Sequence, residues 1–352
     1  MELKKFGKTG LTVSRICIGT GSFGKQTDEK ESHRILDKAA EAGVNFIDTA
    51  DLYPPGAALG SGSSEIITGR WLSGKRGSFI LGTKAGGPMG RAPWDKGNSR
   101  KHLLDAIEGS LRRLNTDYVD LFSLHLDDFD TPLDETVDAM DAIVRSGKAR
   151  YIGVSNFLAY RLAKALGLQD ARGLTRFVCV QPRYNLLFRE VERELFRLTQ
   201  EEAMAVTPYN PLAGGLLTGK YKQDELPQKG RFSNELGGVG KKYSDWYWDE
   251  RKFETVARIQ EIADQQREPI SALCTAWLLA NPVITSVIVG PSRFEHLSDS
   301  LAAAEYKIDG ALKKQLDDIS MEHRKGDMES ERPQNSASVT TPRPQLEALH
   351  HN

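Results

Sequence analysis

Four ionisable side chains of different kinds stand at or just beyond the ends of short apolar runs. Asp48, Lys84 and His125 each close such a run, and Tyr53 follows the first of them in the next connection. If the runs are parallel strands of a barrel, their carboxyl ends meet at one rim, where the active sites of barrel enzymes lie. We therefore expect these four groups to converge on one site, although they come from separate parts of the chain.

The four groups suit a proton transfer that is coupled to a hydride transfer. A tyrosine hydroxyl can protonate a developing alkoxide when its pKa is lowered, and a neighbouring ammonium such as Lys84 has that effect. Asp48 can keep Lys84 charged, and His125 can hydrogen-bond the carbonyl oxygen and orient it. The hydride itself has to come from a bound cofactor.

Each of these residues also has an ordinary structural explanation when it is taken alone. Asp48 could cap a helix, Tyr53 could be ordinary packing, and His125 could be a satisfied polar residue. Taken together they are harder to explain in this way, because a charge buried at the rim needs a partner. Barrel chemistry leaves one further alternative open, in which Lys84 forms a Schiff base as in a lyase or an aldolase.

Polar residues at the later strand ends are suited to hold a nicotinamide. Ser155 and Asn156 close the fifth run and Gln181 closes the sixth, so amide side chains are available to orient the carboxamide group. Tyr209 closes the seventh run and offers a flat face for the nicotinamide ring. We predict that the cofactor lies on these residues.

A phosphate site is predicted after the eighth run. Gly290, Ser292 and Arg293 stand there, and a helix is predicted to begin at Phe294. Backbone N–H groups at a helix start bind anions, and a phosphate site near strands seven and eight recurs in barrels. Arg293 can also fork onto a ribose 2′-phosphate, which favours NADPH over NADH. The prediction is therefore NADP(H) as cofactor, with no metal site.

Eight short and almost wholly apolar runs alternate with helical patterns along the chain. Such runs are typical of strands covered on both faces, and the alternation predicts parallel strands with right-handed crossovers. A hairpin over residues 3–14 precedes them, so we predict a (β/α)8 barrel of the TIM type with an N-terminal hairpin. The predicted strands are 16–19, 45–48, 79–84, 118–125, 151–155, 177–181, 205–209 and 286–290.

Helical periodicity predicts helices over residues 31–42, 100–114 and 132–145, and Thr131 is the predicted N-cap of the third. The connection after strand seven, residues 213–249, has no strong period but holds four aromatic residues near its end. We interpret it as a long loop that covers the substrate; the alternative is a surface loop that packs its aromatics on the barrel exterior.

Composition limits the remaining classes of function. The chain has 352 residues with 47 basic and 48 acidic side chains, and without a long basic stretch nucleic acid is not an expected partner. Cys17, Cys179 and Cys274 lie in apolar runs, which indicates buried thiols in a reducing compartment. The polar N-terminus and the absence of a long apolar stretch argue against a signal peptide or a membrane span, so a cytoplasmic protein is expected.

The C-terminal residues 323–352 are rich in Ser, Thr, Pro and Gln and hold few large apolar side chains. Such a composition cannot bury enough apolar surface to offset the entropy of ordering. We predict a disordered tail behind a barrel of residues 1–322.

At these residues the sequence resembles the aldo-keto reductase superfamily, and the resemblance covers about residues 1–320. It implies a catalytic tetrad of Asp48, Tyr53, Lys84 and His125, in which Tyr53 is the general acid that reduces an aldehyde or ketone. It also implies an extended NADP(H) bound without a Rossmann motif. The matching stretches are NFIDTADLY (45–53), GTK (82–84), DLFSLH (120–125), IGVSNF (152–157), VQ (180–181) and YNPLAGGLLTGK (209–220).

The last of these stretches most resembles the bacterial branch that includes relatives of channel β-subunits, and it implies that Leu212 and Gly214 contact the cofactor. The link 54–63 is longer than is usual in the family, which leaves the substrate class open. His296 and Ser300 stand where the family often has Gln and Asn near the adenine. An alternative function is an NADPH-binding sensor or partner subunit with little turnover. The sequence does not fix the oligomeric state.

Overall fold

The computed structural model of the chain describes residues 1–55, 60–225, 227–233 and 238–325. Ten strands lie in these residues. In chain order they are β1 (Leu3–Lys5), β2 (Thr12–Ser14), β3 (Ile16–Gly19), β4 (Phe46–Asp48), β5 (Ile80–Ala85), β6 (Val119–Leu124), β7 (Ala149–Ser155), β8 (Phe177–Gln181), β9 (Ala205–Val206) and β10 (Val287–Val289).

Strands β3 to β10 form a parallel barrel. Neighbours follow in the order β10-β3-β4-β5-β6-β7-β8-β9. The ring is closed between its last strand and its first, because Thr285 N donates to Val206 O at 2.8 Å and Ile288 N donates to Pro208 O at 2.9 Å. The predicted (β/α)8 barrel is therefore confirmed. The seventh predicted strand is shorter than expected, since Pro208 has no N–H with which to continue the ladder.

The predicted N-terminal hairpin is also confirmed. β1 and β2 pair in antiparallel fashion, with Leu3 opposite Ser14. Phe6 and Val13 are fully buried and pack on the inner residues Cys17 and Phe46 of the barrel. The hairpin therefore covers the amino-terminal end of the barrel and leaves the opposite rim for a site.

Eleven α-helices lie in the described residues, and most of them cover the outside of the barrel. They are α1 (Glu29–Glu41), α2 (Ser63–Leu72), α3 (Arg100–Leu114), α4 (Leu133–Arg145), α5 (Ala159–Arg172), α6 (Leu195–Glu201), α7 (Gly238–Tyr247), α8 (Glu250–Gln266), α9 (Ile270–Leu279), α10 (Glu295–Ala303) and α11 (Gly310–Ile319).

Of the three predicted helices, α3 has the predicted bounds, and the other two differ only at their ends. α1 begins two residues early because the Asp28 side chain caps it and accepts a hydrogen bond from Glu31 N at 2.8 Å. The predicted N-cap of α4 is wrong. Pro132 occupies that position, and the Thr131 hydroxyl instead donates to Asp128 at 2.7 Å.

The prediction of an irregular loop over residues 213–249 is wrong for its last third, which forms α7. This helix starts with Gly238 and Gly240, which disfavour helix formation, although Tyr243, Trp246 and Tyr247 follow at helical spacing on one face. Packing stabilises it instead. Tyr247 is fully buried, and its hydroxyl accepts hydrogen bonds from Asn185 Nδ2 at 3.0 Å and Asn210 Nδ2 at 2.9 Å. These contacts anchor α7 beyond the ends of β8 and β9.

The three cysteines are buried and unpaired, as the sequence predicts. In the described part of the chain, no helix is long and apolar enough to cross a bilayer. Most of the predicted tail, from residue 326 onward, lies outside the described residues, as do residues 56–59 of the long link after Tyr53.

Candidate active site

The register of β4 and β5 places the two charged residues of the site side by side. Asp48 is the last residue of β4 and lies opposite Gly82 of β5, two residues before Lys84. After β4 the chain stays close to β5, because Thr49 N donates to Gly82 O at 2.9 Å and Asp51 N to Lys84 O at 3.0 Å. These backbone hydrogen bonds carry the chain from Asp48 towards Tyr53 along the rim.

Lys84 and Asp48 form a buried ion pair. Lys84 Nζ lies 2.5 Å from Asp48 Oδ2 and donates a second hydrogen bond to Thr49 O at 2.6 Å, and the two side chains are 1% and 4% exposed. Gln181 Nε2 donates to the other carboxylate oxygen at 3.0 Å. Burial favours the neutral amine, but the charges of Asp48 and Tyr53 and the hydrogen bond to Asp48 outweigh it. The pKa of Lys84 is therefore raised above its ordinary value.

Tyr53 lies over this ammonium group and beside His125. Lys84 Nζ is 5.2 Å from the centroid of the Tyr53 ring, and the ring centroids of Tyr53 and His125 are 5.5 Å apart at an angle of 84°. Burial raises the pKa of Tyr53 above its ordinary value, and Lys84 opposes this effect without reversing it. The expected net lowering of the Tyr53 pKa is therefore absent, although Lys84 acts in the expected direction.

His125 is held as a neutral ring. Burial, followed by the charges of Lys84 and Lys242, keeps the pKa of His125 well below its ordinary value. Its Nδ1 atom is buried without a hydrogen-bond partner among the described residues. The backbone is fixed on both sides, because His125 N donates to Ala85 O at 2.8 Å and Asn156 Nδ2 donates to His125 O at 2.9 Å. A neutral imidazole in this place can donate one N–H to an oxygen of a substrate.

The predicted bed for the nicotinamide is assembled as one hydrogen-bonded group. The Tyr209 hydroxyl donates to Asn156 Oδ1 at 2.8 Å, Asn156 Nδ2 donates to the Ser155 hydroxyl at 3.0 Å, and that hydroxyl donates to Gln181 O at 2.8 Å. The Gln181 amide nitrogen, by contrast, is engaged with Asp48. Gln181 thus links the predicted bed to the tetrad.

The predicted phosphate loop packs against the loop after β3. Ser22 Oγ donates to Pro291 O at 3.2 Å and Thr27 Oγ1 donates to Ser292 O at 3.0 Å, while Gly290 and Arg293 are exposed. One N–H at the start of α10 is already occupied, because Phe294 N donates to the carboxylate of Glu31 at 2.7 Å. An anion at this place would therefore rely on side chains more than the sequence suggested.

The two remaining predicted contacts lie in the turn after β9. Leu212 is half-buried, and Gly214 has φ +70°, a conformation that favours glycine. A side chain at Gly214 would also collide with Tyr243, whose Cδ1 would be 2.4 Å from a Cβ atom. The N–H of Gly214 donates to Asn210 Oδ1 at 2.6 Å, so it is already engaged.

With this geometry established, comparison with known proteins identifies the family. The sequence model of the aldo/keto reductase family matches residues 15–320. This chain belongs to the aldo/keto reductase family. The resemblance inferred from its motifs is confirmed.

Several relatives match over nearly their whole length. The uncharacterized oxidoreductase YrpG of Bacillus subtilis is 36% identical over 326 residues, which cover 91% of this chain and 96% of the relative. A probable voltage-gated potassium channel subunit beta of Arabidopsis thaliana is 36% identical, covering 87% and 92%. The L-glyceraldehyde 3-phosphate reductase of Escherichia coli K12 is 33% identical, covering 86% and 87%. Oxidoreductases are thus among the relatives of this chain.

Sequence reasoning missed two cations of this aldo/keto reductase. Arg231 flanks the same space as Tyr53, because a Cβ atom built on Gly21 would lie 3.7 Å from Cε2 and Cζ of Tyr53 and 3.8 Å from Nη2 of Arg231. Lys220 lies near Arg293, whose charge, after burial, lowers the pKa of Lys220. Lys220 is the last residue of the stretch YNPLAGGLLTGK (209–220), and its place in this motif was the sequence signal for it. Arg231 lies in a segment without periodicity.

Asp51 is a third residue that was missed. It is fully buried, and neither carboxylate oxygen has a hydrogen bond of good geometry in the described part of the chain. Its neighbour Glu65 is better satisfied, since it accepts hydrogen bonds from Thr83 at 2.6 Å and Arg113 at 2.7 Å. Burial, and then the charge of Glu65, raise the pKa of Asp51 well above its ordinary value.

This shift predicts how stability depends on pH. The unfolded chain loses the Asp51 proton at a pKa of about 3.9, whereas the folded chain keeps it to higher pH. Folding therefore loses stability as the pH rises from the unfolded value to the folded value. Asp51→Asn removes this loss, so the variant should gain melting temperature relative to wild type, and it should gain more at pH 7.5 than at pH 5.

Thermal unfolding of both proteins at the two pH values measures the effect, with Asp120→Asn as a control at a carboxylate that is paired with Arg76. A difference between wild type and Asp51→Asn that stays constant across this range would contradict a raised pKa at Asp51.

Proposed function

We propose that this aldo/keto reductase reduces an aldehyde or ketone to an alcohol, with NADPH as the reductant and Tyr53 as the general acid. The observation that carries the proposal is the convergence of Tyr53 and neutral His125 on the buried pair of Lys84 and Asp48. The names of relatives agree with it, since one is a reductase of an aldehyde. The buried free cysteines fit a reducing compartment such as the cytoplasm.

The residues of the site divide the work of carbonyl reduction among them. A bound nicotinamide supplies the hydride. Tyr53 is protonated at neutral pH, because its pKa is raised, and it gives its proton to the oxygen as negative charge develops there. Lys84 stabilises the phenolate that is left, and Asp48 holds Lys84 in place and charged. His125 donates one ring N–H to the same oxygen, since a neutral imidazole still carries one such donor.

The residues along the rim from β3 to β10 fit a dinucleotide with an additional phosphate. Lys220 and Arg293 lower the pKa of His296 after burial does, so three groups that can carry positive charge are gathered there. The Ser292 hydroxyl lies 3.4 Å from His296 Nδ1. A cluster of this kind is suited to the 2′-phosphate of NADPH. We assign the diphosphate to Arg231, which lies beside Gly21 and Tyr53.

The Schiff-base alternative finds little support. A Schiff base requires a neutral and accessible amine, but Lys84 is buried, its pKa is raised, and its ammonium donates to Asp48 and Thr49. A second candidate is a cofactor-binding subunit with little turnover, which the channel-subunit name of one relative favours. Steady oxidation of NADPH over many turnovers with a panel of aldehydes separates that candidate from a reductase.

Tyr53→Phe tests the proton donor. The ring stays in place beside His125, so the fold and the binding of NADPH should be kept, while carbonyl reduction should fall by roughly a hundredfold to ten-thousandfold. The measurement is steady-state NADPH oxidation together with a fluorescence titration of NADPH. Tyr160→Phe, at an exposed tyrosine on α5, serves as control. Turnover within a few-fold of wild type would remove Tyr53 from this role.

Arg293→Ala tests the choice of cofactor. Only NADPH carries the 2′-phosphate, so the variant should bind NADPH roughly ten- to a hundredfold more weakly, while its affinity for NADH changes little. Arg172→Ala, which removes a guanidinium paired with Asp134 and Asp138, is the control. An equal loss of affinity for both cofactors would show that Arg293 has a structural role or contacts another group.

A further inference from the structure

Arg183 is a buried cation for which the proposed reduction gives no role. It lies two residues beyond the end of β8 and pairs by a backbone bridge with Tyr209. Its guanidinium carbon lies 3.6 Å from the ring centroid of Phe188 and 4.0 Å from that of Trp246, and the residue is 7% exposed. It also lies 5.7 Å from the ring centroid of Tyr247. The aromatic rings hold the guanidinium in one orientation at the carboxyl-terminal rim.

No acidic side chain in the described residues forms an ion pair with Arg183. Buried charges in proteins are usually paired, because an isolated one is costly. Contact with aromatic faces offsets part of that cost but leaves the positive charge uncompensated. Arg183 is thus a desolvated and fixed cation that lacks a counter-ion in the part of the chain that the structure describes.

Lys242 of α7 supplies a second cation to the same place. Its ammonium lies 4.8 Å from the ring centroid of Trp246, the ring on which Arg183 stacks. Burial and then Arg183 lower the pKa of Lys242 to about 8, and Lys242 in turn contributes to the low pKa of His125. The next residue, Lys241, is different, since it pairs with Asp245 at 2.8 Å. Among described acidic residues, none pairs with Lys242.

The proposed phosphate contacts do not include this pair of cations. Lys220 and Arg231 follow β9, and Arg293 follows β10. Arg183 and Lys242 instead lie at the end of β8 and on α7, and Lys242 is close enough to His125, on which the carbonyl oxygen is proposed to rest, to lower its pKa. A group that meets both cations would therefore belong to the molecule that is reduced.

We propose that Arg183 and Lys242 form a subsite for an anionic group, so that the substrate is an aldehyde or ketone that carries a carboxylate or a phosphate. This inference rests on the proposed function and deepens it. A fixed arginine fork binds the planar edge of a carboxylate or two oxygens of a phosphate, and a lysine adds a point charge. The anion would supply the counter-ion that the two cations lack and would position the carbonyl at Tyr53 and His125.

The test compares pairs of aldehydes that differ chiefly in charge. Succinic semialdehyde is paired with butanal, and glyceraldehyde 3-phosphate with glyceraldehyde, so the two pairs distinguish a carboxylate from a phosphate. Wild type should show a kcat/KM at least about tenfold higher for the anionic member of one pair. Arg183→Met and Lys242→Met should each lower the preference for the anionic member over its neutral counterpart about tenfold or more, mainly through the KM of the anionic member.

Lys241→Met is the matched control, because it removes a neighbouring charge of the same helix that is already paired, and it should behave as wild type. Because part of the Lys242 side chain stays exposed on α7, Lys242→Met carries the test even if Arg183→Met fails to fold. An equal loss of kcat/KM for the anionic and the neutral aldehyde of a pair would overturn the proposed subsite. A wild-type enzyme that prefers the anionic aldehyde in neither pair would also overturn it. Neutral aldehydes would still be reduced in both cases. Failure of the proposed function is distinct, since wild type would then bind NADPH and reduce none of the four aldehydes.

Discussion

The buried ion pair between Lys84 and Asp48 is the interaction on which the rest of the site depends. Both charges are almost fully removed from water, so each is tolerated only while the other is within hydrogen-bond distance. Breaking such a pair by removing one partner typically costs about 3–5 kcal/mol. The pair therefore locks the ends of β4 and β5 together, and through Gln181 it also binds the end of β8. Its ammonium group then faces the ring of Tyr53, the proposed proton donor.

Electrostatics organise the rim around that pair. Burial disfavours the phenolate form of Tyr53, and Lys84 opposes this effect without reversing it, so Tyr53 stays protonated as the proposed reaction requires. Burial, and then the charges of Lys84 and Lys242, keep His125 neutral. Arg231 extends this positive field toward the proposed cofactor phosphates. Electropositive clefts also attract anionic ligands and speed their association.

Most of the barrel and the convergence of Asp48, Tyr53, Lys84 and His125 could be predicted from the sequence, because a polar residue after an apolar run marks the strand ends. Asp48 and Lys84 could be placed on one rim from strand topology alone. Other features depend on tertiary packing that no local pattern encodes. α7 begins with two glycines that disfavour a helix, and Tyr247 fixes it by hydrogen bonds to Asn185 and Asn210, which are far away in sequence. Arg231 stands in that same segment, so its position next to Gly21 could not be read from spacing.

The sequence also does not show which of two opposing effects on a pKa is larger. The sequence suggested that Lys84 lowers the pKa of Tyr53, but only the depth of burial decides which effect wins. Likewise, Asp51 stands in a quoted motif, yet its lack of hydrogen bonds follows from how Arg113 and Thr83 turn to Glu65 instead. Thr131 is not the N-cap of α4, because its hydroxyl donates to Asp128, and Pro132 occupies the N-cap position.

Lys84 is proposed to act through its charge on Tyr53. The most direct test of this role compares carbonyl reduction by Lys84→Met with that by the double variant Asp48→Asn/Lys84→Met. The single variant leaves Asp48 buried without its cation and should lose stability, whereas the double variant removes both charges and should recover it. Both should bind NADPH nearly as wild type does, and both should lose at least about a hundredfold in turnover at neutral pH. A stable double variant that reduces aldehydes within a few-fold of wild type would contradict the account.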